Sequence, residues 1–162
     1  MTDFERLLGA LGDAGVEFAI VGGLAATIHG SSRLTQDIDV SYARSTENLE
    51  RLVRALAPLN PTLRGAPEGL PFDWSVATLA HGLNFTLITT LGAIDLLGEI
   101  AGGGTYEDLL PHTVTVTLFG RVTRALDLEW LIRTKRAAGR ARDLEAIAEL
   151  EALREERTRE SG

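Results

Sequence analysis

The 162-residue chain contains no cysteine. Disulfides, thiolate zinc sites, iron–sulfur clusters and cysteine nucleophiles are therefore excluded, and the absence fits a reducing, cytoplasmic compartment. Lysine is almost missing as well: the 16 basic residues are arginines except for Lys135, which singles that side chain out. Basic charge is in deficit, with 16 Lys and Arg against 23 Asp and Glu and a net charge of −7. Such a chain lacks the broad basic surface that DNA binding needs, so a phosphate-bearing ligand must be held by a local patch or through metal ions. Long apolar runs are missing too. The longest uncharged apolar stretch, residues 18–28, is broken by Gly22-Gly23 and is too short to span a bilayer. The first six residues are polar and of mixed charge, unlike a signal peptide. A soluble cytoplasmic protein with no membrane partner is the expectation. What is abundant is hydrophobic side chain, 44% of one ordinary domain's length, enough for a single core.

Periodicity then divides the chain. Thr2 and Glu5 have capping-box spacing ahead of a helix over 2–14, with Phe4, Leu7, Leu8 and Leu11 on one face. A buried strand over 17–21 meets Gly22-Gly23 and a short helix over 24–29. After a polar loop, residues 37–42 alternate as a strand. Ser45 or Thr46 caps a helix stopped by Pro58. Residues 58–73, with four of the five prolines, read as a long irregular loop of the kind that is often functional. A helical stretch over 75–81 precedes strands over 84–90 and 93–97, joined as a hairpin. Gly102-Gly103-Gly104 links to a short helix near 105–110. Strands over 113–118 and 121–126 follow, then helices over 127–138 and from 141 onward. The charged segment 154–162 reads as a solvated, frayed tail on a domain spanning 1–153. Helices and strands mixed in this way give an α/β (α+β) fold around a mixed sheet, in a single domain.

The sharpest chemical feature is Gln36-Asp37-Ile38-Asp39-Val40. On a strand Asp37 and Asp39 share one face, ~7 Å apart, while Ile38 and Val40 enter the core. Two like charges on one strand face call for compensation, and hard cations with oxygen ligands supply it. An ordinary exposed strand face would carry the same two residues. Asp95, inside the apolar run Ala93–Leu97, adds weight, because a lone carboxylate there is costly. If its strand lies beside 37–42, three carboxylates converge and need a cation to stay ionised. Gly22-Gly23, between strand and helix, suits close approach of backbone N–H groups to a phosphate, although a glycine pair is more often only a tight turn. Arg33 and Thr35 lie in the following loop, where Arg33 can neutralise phosphate charge or simply face solvent. Arg133, Lys135, Arg136, Arg140 and Arg142 form a basic segment with no acid among them, a phosphate grip or a solvated turn. Asp143 follows, placed to hold Lys135 or an arginine. His29, His81 and His112 have no metal-ligand spacing and read as cap or turn residues.

In this order, Gly22-Gly23, Asp37-Ile38-Asp39-Val40 and Asp95 resemble the signature of the polymerase-beta-type nucleotidyltransferase superfamily. Within it, Arg33-Leu34-Thr35-Gln36-Asp37-Ile38-Asp39 and the closing pattern from Leu131 to Leu144 are similar to minimal bacterial AbiEii/AbiGii-toxin-like proteins. The resemblance runs from about Glu17 to Leu150. It implies Asp37, Asp39 and Asp95 as ligands of Mg²⁺ or Mn²⁺, with Asp95 the base for an incoming hydroxyl. It implies that Gly22, Gly23, Arg33, Thr35 and Lys135 surround the triphosphate of an NTP such as ATP, and that Lys135 and Asp143 belong to the site. Relatives often have Ser at the second glycine position, and Gly23 offers no hydroxyl. The implied activity is transfer of a nucleoside monophosphate from an NTP to an acceptor hydroxyl, releasing pyrophosphate, in a toxin–antitoxin or defence setting. The acceptor is left open between tRNA, a protein and a small molecule, and a cognate toxin or antitoxin protein is an implied partner. The competing expectation is a non-catalytic protein of the same fold, an antitoxin-like partner or a nucleotide-binding sensor.

Overall fold

A computed structural model describes residues 1–67 and 69–161. In chain order the elements are α1 (Phe4–Asp13), β1 (Phe18–Val21), α2 (Gly22–Ile28), β2 (Asp37–Tyr42), α3 (Thr46–Leu56), β3 (Thr62–Leu63), α4 (Val76–His81), β4 (Asn84–Thr89), β5 (Gly92–Leu97), α5 (Tyr106–Leu109), β6 (Thr113–Leu118), β7 (Arg121–Leu126), α6 (Leu128–Ala138) and α7 (Leu144–Ser161). Seven strands form one mixed sheet in the order β3-β4-β5-β2-β1-β7-β6. β2 runs antiparallel to β1 and parallel to β5, and β1 runs parallel to β7. The mixed α/β fold expected from the sequence is what forms.

The sheet's core follows from alternation. Ile38 and Val40 on β2 and Ile94 and Leu96 on β5 are fully buried, in one cluster with Leu7 and Leu11 of α1 and Leu52 and Leu56 of α3. The intervening Asp37, Asp39 and Asp95 are thereby turned to the opposite face.

Three expectations are corrected. Asp3, not Thr2, caps α1, accepting from Arg6 N at 3.1 Å. The Thr2 hydroxyl is committed elsewhere: it donates to Gln36 O and accepts from Ala93 N at 3.2 Å, tying the chain start to the first residues of β2 and β5. The loop over 58–73 contains the two-residue strand β3, which pairs with β4. The segment beyond 153 continues α7 to Ser161 rather than fraying. Arg157 donates to His29 Nδ1 at 3.0 Å, and Arg154 pairs with Glu129 at 3.2 Å. His29 itself is buried, its Nε2 2.8 Å from Leu126 O, and burial holds its pKa below the usual histidine value.

Asn48 carries a load that composition does not announce. It is fully buried on α3. Its Oδ1 accepts from Glu17 N at 2.7 Å, and its Nδ2 donates to Ala43 O at 2.7 Å and Glu17 O at 3.1 Å. One side chain thus satisfies three backbone groups at the outer ends of β1 and β2. Asn48→Ala leaves Glu17 N and Ala43 O without these partners, while Glu17 O keeps its bond from Ala43 N, and we expect it to cost about 2 kcal/mol, read as a lower urea midpoint. Asn48→Asp sets an oxygen against both carbonyl oxygens in place of the donating amide and should cost at least as much.

Candidate active site

The site is built on one row of the sheet. Thr86 on β4 lies opposite Asp95, Asp95 lies opposite Asp39, and Asp39 lies opposite Val21. Residues directly opposite on neighbouring strands project to the same face. Asp95 and Asp39 are therefore side by side, and Asp37 stands on the same face two residues earlier on β2. The condition on which the three-carboxylate reading rests, adjacency of the two strands, is met.

The cost of this arrangement shows on Asp39. Burial, reinforced by the charge and hydrogen bond of Asp95 and by the charge of Asp37, raises its pKa to about 7, while Lys135 opposes the shift. The cluster carries more negative charge than the protein compensates at Asp39. Its donors are all carboxylate oxygens, the set that hard divalent cations take. A divalent cation fits these residues on both counts. As they stand, no three of the described residues are grouped closely enough to hold a metal ion, and a cation of the chain's own stands beside two of the carboxylates. Arg64 Nη2 lies 2.7 Å from Asp95 Oδ1, and Arg64 Nη1 lies 3.8 Å from Asp37 Oδ2.

The glycine pair borders the same carboxylates. Gly22 has φ +62, and a Cβ there would overlap the Asp39 carboxyl group, whose Cγ is 3.0 Å from that position. Only glycine permits both the turn and the approach. α2 then begins with no side-chain cap on its first N–H groups. A Cβ on Gly23 would lie 2.8 Å from Thr35 Oγ1. The hydroxyl that Gly23 lacks is thus present at its doorstep on Thr35, where it donates to Asp37 O at 3.1 Å.

Beside the glycines lies a cavity of 300 Å³, lined in part by Gly23, Thr35, Lys135, Arg142, Asp143 and Glu149. Lys135 projects from α6 with its side chain 17% exposed and its Nζ 3.9 Å from Asp143 Oδ1. Asp143 is buried and also accepts from Arg140 Nε at 2.8 Å. The Lys135 ammonium acts electrostatically on Asp39 and pairs with Asp143. A second cavity of 310 Å³ lies across the molecule, between α1 and the β6–β7 hairpin. None of the three aspartates lines either cavity; the first is linked to them through Gly23, next to the Gly22 that borders Asp39, and through Lys135, whose charge acts on Asp39.

The structure separates the remaining candidates. Arg33 lines the 300 Å³ cavity, but its guanidinium pairs with Glu145 at 3.1 Å and Glu149 at 3.9 Å on α7. Within the basic segment, Arg136 pairs with Glu151, Arg140 with Asp143, and Arg133 lies over the Trp130 ring, 4.7 Å from its centre. Lys135 and Arg142 are its members that line the cavity. Arg64 is absent from the residues the sequence singled out. It sits in the proline- and glycine-rich stretch, and only its backbone pairing to β4 reveals where it points.

Solved proteins share this architecture. Over 92% of the chain and 94% of its own length, TM1012 of Thermotoga maritima, described as a candidate nucleotidyltransferase, superposes with a TM-score of 0.58 at 16% identity. An antigenic nucleotidyltransferase-like protein of Paracoccidioides brasiliensis superposes with a TM-score of 0.52 at 14% identity, over 94% of the chain and 77% of its own length. The chain has a nucleotidyltransferase-type fold. No family model matches the sequence, nor does any curated protein. Among the described residues, no helix is long and apolar enough to cross a membrane.

Proposed function

We propose that the protein is a metal-dependent nucleotidyltransferase, moving a nucleoside monophosphate from an NTP to an acceptor hydroxyl. The observation that carries this reading is the in-register pairing of Asp39 with Asp95 beside the Gly22-Gly23 turn, with Lys135 held across the cavity. Asp37, Asp39 and Asp95 are the residues that would hold Mg²⁺ or Mn²⁺. Such a cation supplies charge neutralisation at the phosphates and a lower pKa for the attacking hydroxyl.

The chain's own groups account for the rest. The uncapped N–H groups at the start of α2 face the triphosphate, and the Thr35 hydroxyl and Lys135 ammonium contribute a donor and a positive charge. The acceptor oxygen forms a bond to the α-phosphorus as the bond to the bridging oxygen breaks and pyrophosphate leaves in line. The hydroxyl proton passes to Asp95. Arg33 acts from the cavity rim through its α7 partners. Asp143 orients Lys135. The likeness to AbiEii/AbiGii-toxin-like proteins extends the proposal to a cytoplasmic toxin–antitoxin or defence role, with tRNA, a protein or a small molecule as acceptor.

One observation favours a second reading. Arg64 pairs with Asp95 as a fixed cation would in a non-catalytic nucleotide sensor or antitoxin-like partner. That reading expects nucleotide binding without pyrophosphate release.

The deciding experiment incubates the protein with Mg²⁺, each α-labelled NTP, total RNA and cell lysate, with Asp39→Ala as control. Acid-stable label on an acceptor, lost in Asp39→Ala, is the expected result. Equal labelling by both proteins, or none by either, overturns the transferase reading for those acceptors.

A further inference from the structure

We infer that Arg64 is a built-in counter-cation that latches the carboxylate site, so that a divalent cation binds only by displacing its guanidinium. This rests on the metal-dependent reading of the site and specifies how that site is regulated.

Arg64 is anchored to the sheet rather than left in a loose loop. Its N–H donates to Thr86 O at 2.9 Å, directly after the β3–β4 pairing of Leu63 with Leu87. This places it at the end of the row Thr86, Asp95, Asp39. From there the side chain crosses β4 to the carboxylates. It reaches Asp95 at 2.7 Å and comes within 3.8 Å of Asp37, with its side chain 32% exposed. The pairing is incomplete. Nη1 is buried and has no hydrogen-bond partner among the described residues, standing 3.8 Å from Asp37 Oδ2. A guanidinium satisfied on one arm only is a stand-in that a better-matched cation can replace.

Charge and space give the same answer. Arg64 brings one positive charge to three carboxylates, whereas a divalent ion brings two in a smaller volume. The guanidinium stands between Asp95 and Asp37, so it and an ion joining those residues exclude one another. The backbone is pinned, so opening needs only rotation of the Arg64 side chain. The latch lowers apparent metal affinity by the fraction of molecules in which the guanidinium has swung away. It also offsets the repulsion among the three carboxylates.

The test measures Mn²⁺ binding to the whole chain by the loss of its free-ion magnetic resonance signal, without nucleotide, for wild type, Arg64→Gln and Arg64→Lys. Thermal unfolding of each in EDTA and in saturating Mg²⁺ accompanies it. Expected is about tenfold tighter Mn²⁺ binding by Arg64→Gln. Arg64→Lys keeps the charge but loses the fork, and it should bind like Arg64→Gln rather than like wild type. In EDTA both variants should unfold at lower temperature than wild type, and Mg²⁺ should close the gap. Equal or weaker binding by Arg64→Gln overturns the latch and leaves the metal site standing. Tighter binding by Arg64→Gln with wild-type affinity in Arg64→Lys also overturns it, because a diffuse field from the charge is then sufficient. Absence of Mn²⁺ binding in all three proteins overturns the metal-dependent reading itself.

Discussion

Replacing Gly22 by alanine is expected to lower stability by roughly 1–2 kcal/mol and nucleotidyl transfer by about 10²-fold or more. Two costs add. The residue sits at φ +62, where an L side chain is strained by about 1–2 kcal/mol. The new methyl group also overlaps the Asp39 carboxyl group, so that side chain has to leave its place. The backbone cost falls on folding, and the displacement falls on the reaction. Gly65 serves as the control. It too has positive φ, +81, but a Cβ there meets nothing within 4 Å among the described residues. Gly65→Ala should therefore show the modest loss of stability and wild-type transfer. Equal activity in Gly22→Ala and wild type would sink the claim that Asp39 must lie against the glycine turn.

Asp39→Asn should move stability and activity in opposite directions. In the metal-free protein the Asp39 pKa is raised to about 7, chiefly by burial and then by Asp95. Between about pH 4 and pH 7 the native state therefore holds a proton that the unfolded chain has released. Wild-type stability in EDTA accordingly falls as pH rises through this window and levels off above it. Asparagine has no proton to lose. At pH 8 Asp39→Asn should be more stable than wild type by on the order of 2 kcal/mol, an advantage that shrinks toward pH 4. Transfer should drop by about 10³-fold or more, since a neutral amide brings no negative charge to a divalent cation. Urea midpoints across pH in EDTA, set beside initial rates in Mg²⁺, check both halves. A wild-type midpoint that rises between pH 5 and pH 7 while that of Asp39→Asn stays flat would show that the aspartate is not held protonated by its surroundings.

What the sequence reveals of this site depends on how local each signal is. Asp37 and Asp39 declare themselves through strict alternation with Ile38 and Val40. Asp95 declares itself as the lone acid in an apolar strand. Their meeting does not follow from either segment, because it depends on the parallel pairing of β2 with β5 across more than fifty intervening residues. Lys135 stands out by composition, yet its aim at the cavity is set by the packing of α6 and by Asp143. Arg33 looks like a phosphate ligand until α7 brings Glu145 and Glu149 alongside it. Arg64 is silent in sequence, for a two-residue strand inside a proline-rich stretch gives no period to detect. Thr2 misleads for a related reason: capping-box spacing is a local pattern, and the hydroxyl is claimed by strands far along the chain.

Pairing β2 with a strand that begins only at Gly92 has a consequence during synthesis. A nascent chain on the ribosome exposes Asp37 and Asp39 long before Asp95, Lys135 or Asp143 has been made. Until then it carries part of the carboxylate set and none of the ammonium that faces it. The residue set is thus incomplete during translation, and it assembles only when the last third of the polypeptide has emerged and packed into place.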